Sequence, residues 1–149
     1  MNYESLKLEK QLCFSLYATS RAVTALYRPL LEEMGITYSQ YLVLLVLWET
    51  DSIPLKEIGD RLFLDSGTLT PLLKKMEKNG FLTRARSEED ERNLVVRLTI
   101  KGRNLRKKAL CIPERLLESS GLVVEKVVAM KKDLDKLMLH LEEKVRNSA

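Results

Sequence analysis

Apolar residues recur at helical intervals over the first part of the chain. Between Ser5 and Glu32, leucines and valines lie three, four or seven positions apart, which predicts one long amphipathic helix that Gly35 ends. Thr37, with Gln40 three residues later, has the pattern of a capping box. It predicts a short, very apolar helix to Glu49, which we expect at the centre of the core.

Two short helical segments follow in tandem. They run from Leu55 to Phe63 and from Ser66 to Lys78, and Asn79-Gly80 supplies a left-handed stop to the second. Pro71 lies too deep for an ordinary first turn, so the second helix is expected to begin irregularly or nearer Thr70. The spacing is that of a helix-turn-helix.

The segments after this pair predict two strands and two more helices. Phe81 to Arg86 and Asn93 to Thr99 are strand-like and flank the charged loop 87–92, so they would form a wing behind the helix-turn-helix. Ile100 to Glu118 and Val124 to Arg146 then have helical periodicity. The fold class predicted is therefore mainly α, with a winged helix-turn-helix domain.

The first and last helices carry apolar stripes longer than a small winged core can cover. An uncovered stripe of that length is most economically buried against a second copy of the chain. We therefore expect a homodimer in which residues 1–34 and 100–149 supply the dimerisation helices. Residues 36–99 would form the winged helix-turn-helix DNA-binding domain of a single 149-residue chain.

Composition narrows the class of protein. A chain of 149 residues that is 45% hydrophobic can bury a core without disulfide staples, and its two cysteines are too few for a disulfide framework. The start of the chain is polar, and the longest apolar run, Leu42 to Trp48, is far shorter than a membrane span. We expect a cytoplasmic protein with no membrane partner. The net charge of +4 favours a polyanionic partner only weakly.

Charge and hydroxyl placement point more strongly to double-stranded DNA. The second helix of the pair carries small hydroxyls and cations suited to base edges and phosphates, namely Ser66, Thr68, Thr70, Lys74 and Lys75. Candidate contacts in the wing are Arg84, Arg86, Asp90 and Arg92. Asp90 could pair with Arg92 and hold its guanidinium at the wing tip for a minor groove. The alternative is a charged hairpin that is merely solvated.

Two segments resemble a known family. The segment Leu64-Asp-Ser-Gly-Thr-Leu-Thr-Pro-Leu-Leu-Lys-Lys-Met76, followed by Arg86-Ser-Glu-Glu-Asp-Glu-Arg92, resembles the recognition helix and wing of MarR-family transcriptional regulators. Gln11-Leu-Cys-Phe-Ser-Leu-Tyr17 resembles the redox-sensing segment of the organic hydroperoxide resistance regulators and related thiol-based regulators. The resemblance implies a helical dimer with a winged domain in each protomer, which binds a pseudo-palindromic operator and usually represses.

Cys13 is the residue on which the redox interpretation depends. A cysteine between Leu12 and Phe14 on an apolar helix is by itself more often a small buried hydrophobe. Tyr17 lies one helical turn further on and could reach a functional thiol. The resemblance implies tyrosine donors to the thiol, two of them from the partner subunit, and the matching positions are Tyr27 and Tyr38. It further implies release from the operator when an organic hydroperoxide or a related oxidant oxidises Cys13.

The remaining chemistry leaves alternatives open. Cys111 is either a second thiol that pairs with oxidised Cys13 or a structural residue, because the resembling regulators use either a second cysteine or a small thiol. His140 has no metal-ligand constellation around it, so no metal and no cofactor are expected. Competing functions are a MarR-type regulator that binds a small aromatic ligand in the dimer crevice and a thiol peroxidase. We disfavour an enzyme because no cation flanks Cys13 closely, although Arg21 lies two turns along the helix.

Overall fold

The computed structural model describes residues 3–86 and 93–147, and the loop 87–92 lies outside the described residues. The helices are α1 (Leu12–Glu32), α2 (Tyr38–Glu49), α3 (Leu55–Leu62), α4 (Ser66–Lys78), α5 (Ile100–Ala109), α6 (Ile112–Ser120) and α7 (Val124–Arg146). The strands are β1 (Ile53–Pro54), β2 (Leu82–Arg86) and β3 (Leu94–Leu98). The predicted fold class, mainly α with a winged helix-turn-helix, is confirmed. The chain divides into two compact units, Met1–Ile112 and Pro113–Ala149.

Helix α1 begins later than its apolar pattern predicts. Two 3-10 turns, Tyr3–Leu6 and Leu8–Lys10, precede it, and the expected start at Ser5 is wrong. Gln11 adopts an extended backbone, and its side-chain amide donates to the Ser5 carbonyl at 2.5 Å, which folds this segment back on itself. The first turn of α1 therefore contains Cys13 rather than Lys7 or Leu8.

Helix α2 forms the centre of the core, as its composition predicts. The capping box is present: the Gln40 backbone N–H donates to Thr37 Oγ1 at 3.4 Å, and the Thr37 N–H donates to Gln40 Oε1 at 3.0 Å. Seven of its side chains are buried: Gln40, Tyr41, Val43, Leu44, Val46, Leu47 and Trp48. Trp48 Nε1 donates to the Gly102 carbonyl at 3.0 Å, which ties the core to the start of α5.

Helices α3 and α4 form the predicted helix-turn-helix. Phe63, with a left-handed φ of 54°, ends α3, and the Leu64 N–H donates to the Gly59 carbonyl at 2.9 Å. A Cβ on Gly59 would lie 2.8 Å from the Leu64 carbonyl oxygen, so this close turn requires glycine. The expected irregular start of α4 is wrong: Asp65 caps the helix at Ser66, and Pro71 lies inside it.

The wing is a small antiparallel sheet in the order β1-β3-β2. Strands β2 and β3 pair from Leu82 opposite Leu98 to Arg86 opposite Leu94, which confirms the two predicted strands. Strand β1 pairs with the other edge of β3 and was not predicted, because two residues are too few to carry a strand pattern. The sheet thus joins the wing to the segment between α2 and α3.

The predicted helix from Ile100 to Glu118 is two helices, α5 and α6, separated by Leu110 and Cys111. Pro113 has no N–H to continue the hydrogen-bond ladder of α5, which accounts for the break. Within the second unit, α7 has the predicted bounds. None of its side chains that the structure describes is buried.

Candidate DNA-binding surface and thiol centre

Helix α4 has one face in the core and one outside. Leu69, Leu73 and Met76 are fully buried and anchor the inner face at intervals of four and three residues. Of the predicted DNA-contacting residues of α4, Thr70 is half-buried and four are exposed, namely Ser66, Thr68, Lys74 and Lys75. The helix therefore presents hydroxyls near its N-terminus and cations further along.

The start of α4 is held by the carboxylate of Asp65. Asp65 Oδ1 accepts from the Thr68 backbone N–H at 2.9 Å, and Asp65 Oδ2 accepts from the Thr68 hydroxyl at 2.9 Å. These hydrogen bonds from Thr68 hold the pKa of Asp65 below its usual 3.8. A Cβ on Gly67 would lie 2.9 Å from Asp65 Oδ1, so glycine leaves room for the cap.

An ion pair joins α4 to the wing. Glu77 accepts from the Arg84 backbone N–H at 2.9 Å, from Arg84 Nε at 3.1 Å and from Nη2 at 2.7 Å. The hydrogen bond from the Arg84 side chain keeps the pKa of Glu77 below 4.5. Arg84 is thus committed to Glu77, with its side chain 14% exposed, whereas Arg86 is exposed. Asp90 and Arg92 lie outside the described residues.

A second carboxylate secures the other edge of the wing. Asp51 Oδ1 accepts from the Leu98 N–H at 2.9 Å, and Asp51 Oδ2 accepts from Arg103 Nη2 at 2.9 Å. This residue therefore connects the end of α2, strand β3 and helix α5. Sequence reasoning missed Asp51, Asp65 and Glu77; only Asp65 had a local signal, since it is an N-cap residue type directly before the helix.

Cys13 lies in the first turn of α1 and is exposed. Tyr17 lies one turn further along, and its hydroxyl accepts from Arg21 Nη1 at 2.8 Å. The Arg21 guanidinium also lies 5.5 Å from the centroid of the Tyr17 ring. Cys13, Tyr17 and Arg21 thus follow one another along α1 at intervals of four residues.

The two other predicted tyrosines pack together in the same unit. The rings of Tyr27 and Tyr38 have centroids 4.9 Å apart, and Tyr41, which the sequence did not single out, lies 5.8 Å from Tyr27. Burial, with smaller contributions from Tyr38 and Tyr41, raises the pKa of Tyr27 to about 12. Burial likewise raises the pKa of Tyr38 and of Tyr41. All three phenols therefore keep their protons at neutral pH and can donate hydrogen bonds.

Cys111 occupies the turn between α5 and α6 rather than a helix. It is an exposed free thiol, and its Sγ donates to the Lys108 carbonyl at 3.5 Å. The break before Pro113 therefore places the second thiol in the turn that follows α5.

A cavity of about 220 Å³ lies between the end of α1 and the start of α2. It is lined by Thr24, Arg28, Leu31, Glu32, Ile36, Thr37 and Tyr38. Pockets for drug-sized ligands usually measure about 300–1,000 Å³. This cavity is below that range, whereas a second cavity of about 370 Å³, which Trp48, Leu98 and Arg103 help to line, falls within it.

Over residues 3–86 and 93–147, no helix combines the length and apolar character that crossing a bilayer requires. In the same part of the chain, no three His, Cys, Asp or Glu side chains converge as metal ligands.

Comparison with known proteins identifies the family. Residues 25–109 match the family model described as transcriptional regulator SarA/Rot. The chain is 49% identical over 142 residues to the organic hydroperoxide resistance transcriptional regulator of Bacillus subtilis, covering 95% of this chain and 97% of that relative.

Solved structures agree with this assignment. Reduced AbfR bound to DNA is 40% identical, with a TM-score of 0.75 over 95% of this chain and 99% of that one. AbfR with a disulfide formed is 39% identical, with a TM-score of 0.60 over 91% of this chain and 95% of that one. The relatives are transcriptional regulators, and no enzyme family is indicated. The chain therefore belongs to the MarR-type winged-helix transcriptional regulators.

Proposed function

We propose that the protein is a dimeric, redox-sensing transcriptional regulator, a repressor that leaves its operator when Cys13 is oxidised. The observation that carries the proposal is the placement of Cys13: an exposed thiol in the first turn of α1, in a chain 49% identical to an organic hydroperoxide resistance regulator. As a DNA-binding regulator it acts in the cytoplasm. It is not an enzyme in this proposal, because each protomer reacts once and is then reset by reduction.

The DNA contacts are assigned to α4 and the wing. Helix α4 enters the major groove with Ser66, Thr68 and Thr70 towards base edges, and Lys74 and Lys75 bind phosphates. Similarity to a DNA-bound AbfR structure supports this placement. In the wing, Arg86 binds the phosphate backbone of the DNA. Arg92, oriented by Asp90, enters the minor groove. Arg84 contributes by fixing the wing to α4 through Glu77.

The dimer buries the apolar faces of the chain ends. In α1 and α7, large apolar side chains remain exposed, including Leu12, Phe14, Leu134 and Leu141. Exposed apolar faces on each of these helices, in a regulator that binds a pseudo-palindromic site, are best covered by a second copy of the chain. We assign residues 1–34 and 100–149 to the dimerisation region and residues 36–99 to the DNA-binding domain.

The sensing chemistry begins with the Cys13 thiolate. It attacks the terminal oxygen of a hydroperoxide, the O–O bond breaks, and the alkoxide leaves and is protonated to the alcohol. The sulfur, oxidised by two electrons, becomes a sulfenic acid that condenses with a second thiol to a disulfide and releases water. Tyr17, together with Tyr27 and Tyr38 from the partner subunit, supplies donors to the thiolate. Oxidation of the Cys13 sulfur at the dimer interface then alters the spacing of the two winged domains.

The second thiol is Cys111 of the partner subunit. Its exposure in the turn before α6 leaves it accessible, and similarity to a disulfide form of AbfR supports a bridge. Bridging requires the Cα atoms of the two cysteines to lie within about 7 Å of each other. If oxidised protein runs only as monomer on a non-reducing gel and Cys13 carries a small-thiol adduct by mass spectrometry, Cys111 is structural instead.

A gel-shift titration on the DNA upstream of the chain's own gene tests the proposal. Reduced protein should bind as a dimer with strongly salt-dependent affinity and with half-site centres about 34–36 Å apart. Organic hydroperoxide, hydrogen peroxide or hypochlorite should release the wild type but not Cys13→Ser, which should bind DNA normally when reduced. Release of Cys13→Ser by peroxide would refute the sensor assignment, and salt-independent or monomeric binding would refute the DNA-binding one.

Two further variants test the named contacts. Arg92→Ala should weaken DNA binding without loss of fold; unchanged affinity would reject the minor-groove contact. On a non-reducing gel, oxidised wild type should give a dimer band that both Cys13→Ser and Cys111→Ser lack. Steady-state peroxide consumption with a thiol reductant would instead favour a thiol peroxidase.

A further inference from the structure

The hydroxyl of Thr68 is fixed in one hydrogen-bonding role. Asp65 Oδ2 lies 2.9 Å from Thr68 Oγ1, and Asp65 Oδ1 accepts from the Thr68 backbone N–H at the same distance. A carboxylate has lone pairs and no proton to give, so the threonine hydroxyl must be the donor in this pair. Its single proton is therefore used, and the oxygen has only lone pairs left for another partner.

Asp65 remains the acceptor and Thr68 the donor at physiological pH. Both hydrogen bonds from Thr68 stabilise the ionised carboxyl, and they hold the pKa of Asp65 below its usual 3.8. Gly67 preserves the geometry, because a Cβ at that position would lie 2.9 Å from Asp65 Oδ1. The cap is thus an ionised acceptor that orients Thr68 before any DNA is bound.

Thr68 lies beside the centre of the exposed face of α4. Since Leu69, Leu73 and Met76 mark the inner face, helical geometry places Gly67 and Pro71 at the middle of the opposite face. Neither of these two residues carries a polar side-chain group. Reading of base edges by this end of α4 therefore falls to the flanking residues, and Thr68 is exposed there.

We propose that Thr68 is a specificity-determining residue that accepts a hydrogen bond from a base-edge amino group in the major groove. The amino groups available there are N4 of cytosine and N6 of adenine, whereas guanine and thymine present acceptors at the equivalent places. The negative charge of Asp65 beside Thr68 reinforces this choice, because it repels O6 of guanine and O4 of thymine. The inference rests on the proposed function, in which α4 enters the major groove.

The test removes one amino group at a time from the DNA. A duplex from upstream of the chain's own gene is scanned with purine in place of adenine and 2-pyrimidinone in place of cytosine, and affinities of reduced protein are measured. Wild type should lose about three- to tenfold at one position of each half-site, the range expected for one net hydrogen bond. The base at the sensitive position also shows whether Thr68 contacts N6 of adenine or N4 of cytosine.

Matched variants assign that loss to Thr68. Thr68→Ser keeps the hydroxyl and should keep the amino dependence, while Thr68→Val keeps the shape and should lose it. Asp65→Asn should retain the cap, since asparagine is a favourable N-cap residue. The side-chain amide N–H of the asparagine would donate to Thr68 Oγ1, so the Thr68 hydroxyl could donate its own proton to a base. The preferred base should then change from one with an amino group to one with a carbonyl.

The outcomes separate this inference from the proposed function. If no duplex is bound specifically by the wild type, the proposed function fails. If specific binding is found but Thr68→Val retains the amino dependence of the wild type, or no single amino group matters, only the role of Thr68 is refuted. Thermal unfolding followed by circular dichroism checks that each variant is folded, and Thr68→Ser against Thr68→Val decides the matter even if Asp65→Asn fails to fold.

Discussion

Replacing Glu77 by glutamine should lower both the stability of the fold and the affinity for DNA. Glu77, on α4, receives three hydrogen bonds from Arg84 on β2, one from the backbone and two from the guanidinium. Glutamine keeps one carbonyl oxygen but loses the charge and the second acceptor, so Arg84, whose side chain is 14% exposed, is left with its charge uncompensated.

The expected loss in the free energy of unfolding lies between two known limits. Exposed ion pairs contribute about 0–1 kcal/mol, and breaking a buried pair costs about 3–5 kcal/mol. With Glu77 34% exposed and Arg84 14% exposed, we expect a loss of about 1–2 kcal/mol in the free energy of unfolding. For a chain of this size that lowers Tm by roughly 2–8 °C. DNA affinity should also fall, because the wing is no longer held against α4.

The effect should depend on pH in a defined direction. Arg84 lowers the pKa of Glu77 in the folded protein below its ordinary value of 4.5. The stabilisation is therefore fully present above pH 4.5 and is lost as the pH falls through the lower folded-state pKa. The difference in Tm between wild type and Glu77→Gln should be constant from pH 7 to pH 5 and narrow below 4.5.

Calorimetry over this pH range, with a matched control, measures the effect. Glu33→Gln makes the same chemical change at an exposed residue that has no ion pair among the described residues. If Glu77→Gln unfolds at the same temperature as Glu33→Gln at pH 7, or if its deficit does not narrow in acid, the assigned role of the pair is wrong.

Three further substitutions test other parts of the structure. Gly59→Ala should destabilise the helix-turn-helix by about 1–2 kcal/mol despite the better helix propensity of alanine, because its Cβ would lie 2.8 Å from the Leu64 carbonyl oxygen; an unchanged urea midpoint would contradict this. In an ultraviolet absorbance titration, Tyr27→Phe should remove absorbance from the part of the tyrosine transition near pH 12, and loss of absorbance near pH 10 instead would contradict the raised pKa of Tyr27. Arg21→Gln should slow alkylation of Cys13 by iodoacetamide, because the Tyr17 hydroxyl loses the cation that polarises it; an equal rate would exclude Arg21 from the thiol centre.

Local pattern was enough to predict much of the molecule. The apolar content of α2 and its Thr37 capping box predicted a central helix, and the tandem spacing of α3 and α4 predicted the helix-turn-helix. Chemistry that depends on residues close in sequence was equally accessible, such as the four-residue interval between Cys13 and Tyr17. In each case the residues concerned lie close together in the sequence, so their spacing alone indicates that they are close in space.

Only the tertiary structure decided where elements begin and which distant residues meet. The start of α1 at Leu12 depends on how Gln11 folds back on the preceding turn, and β1 is a strand only because β3 lies beside it. Arg84 was predicted from its charge as a DNA contact, and only the structure shows that its guanidinium pairs with Glu77. Asp51 likewise binds Leu98 across 47 positions. A charge in a sequence has no partner until the chain folds, because electrostatic attraction depends on distance in space and not along the chain.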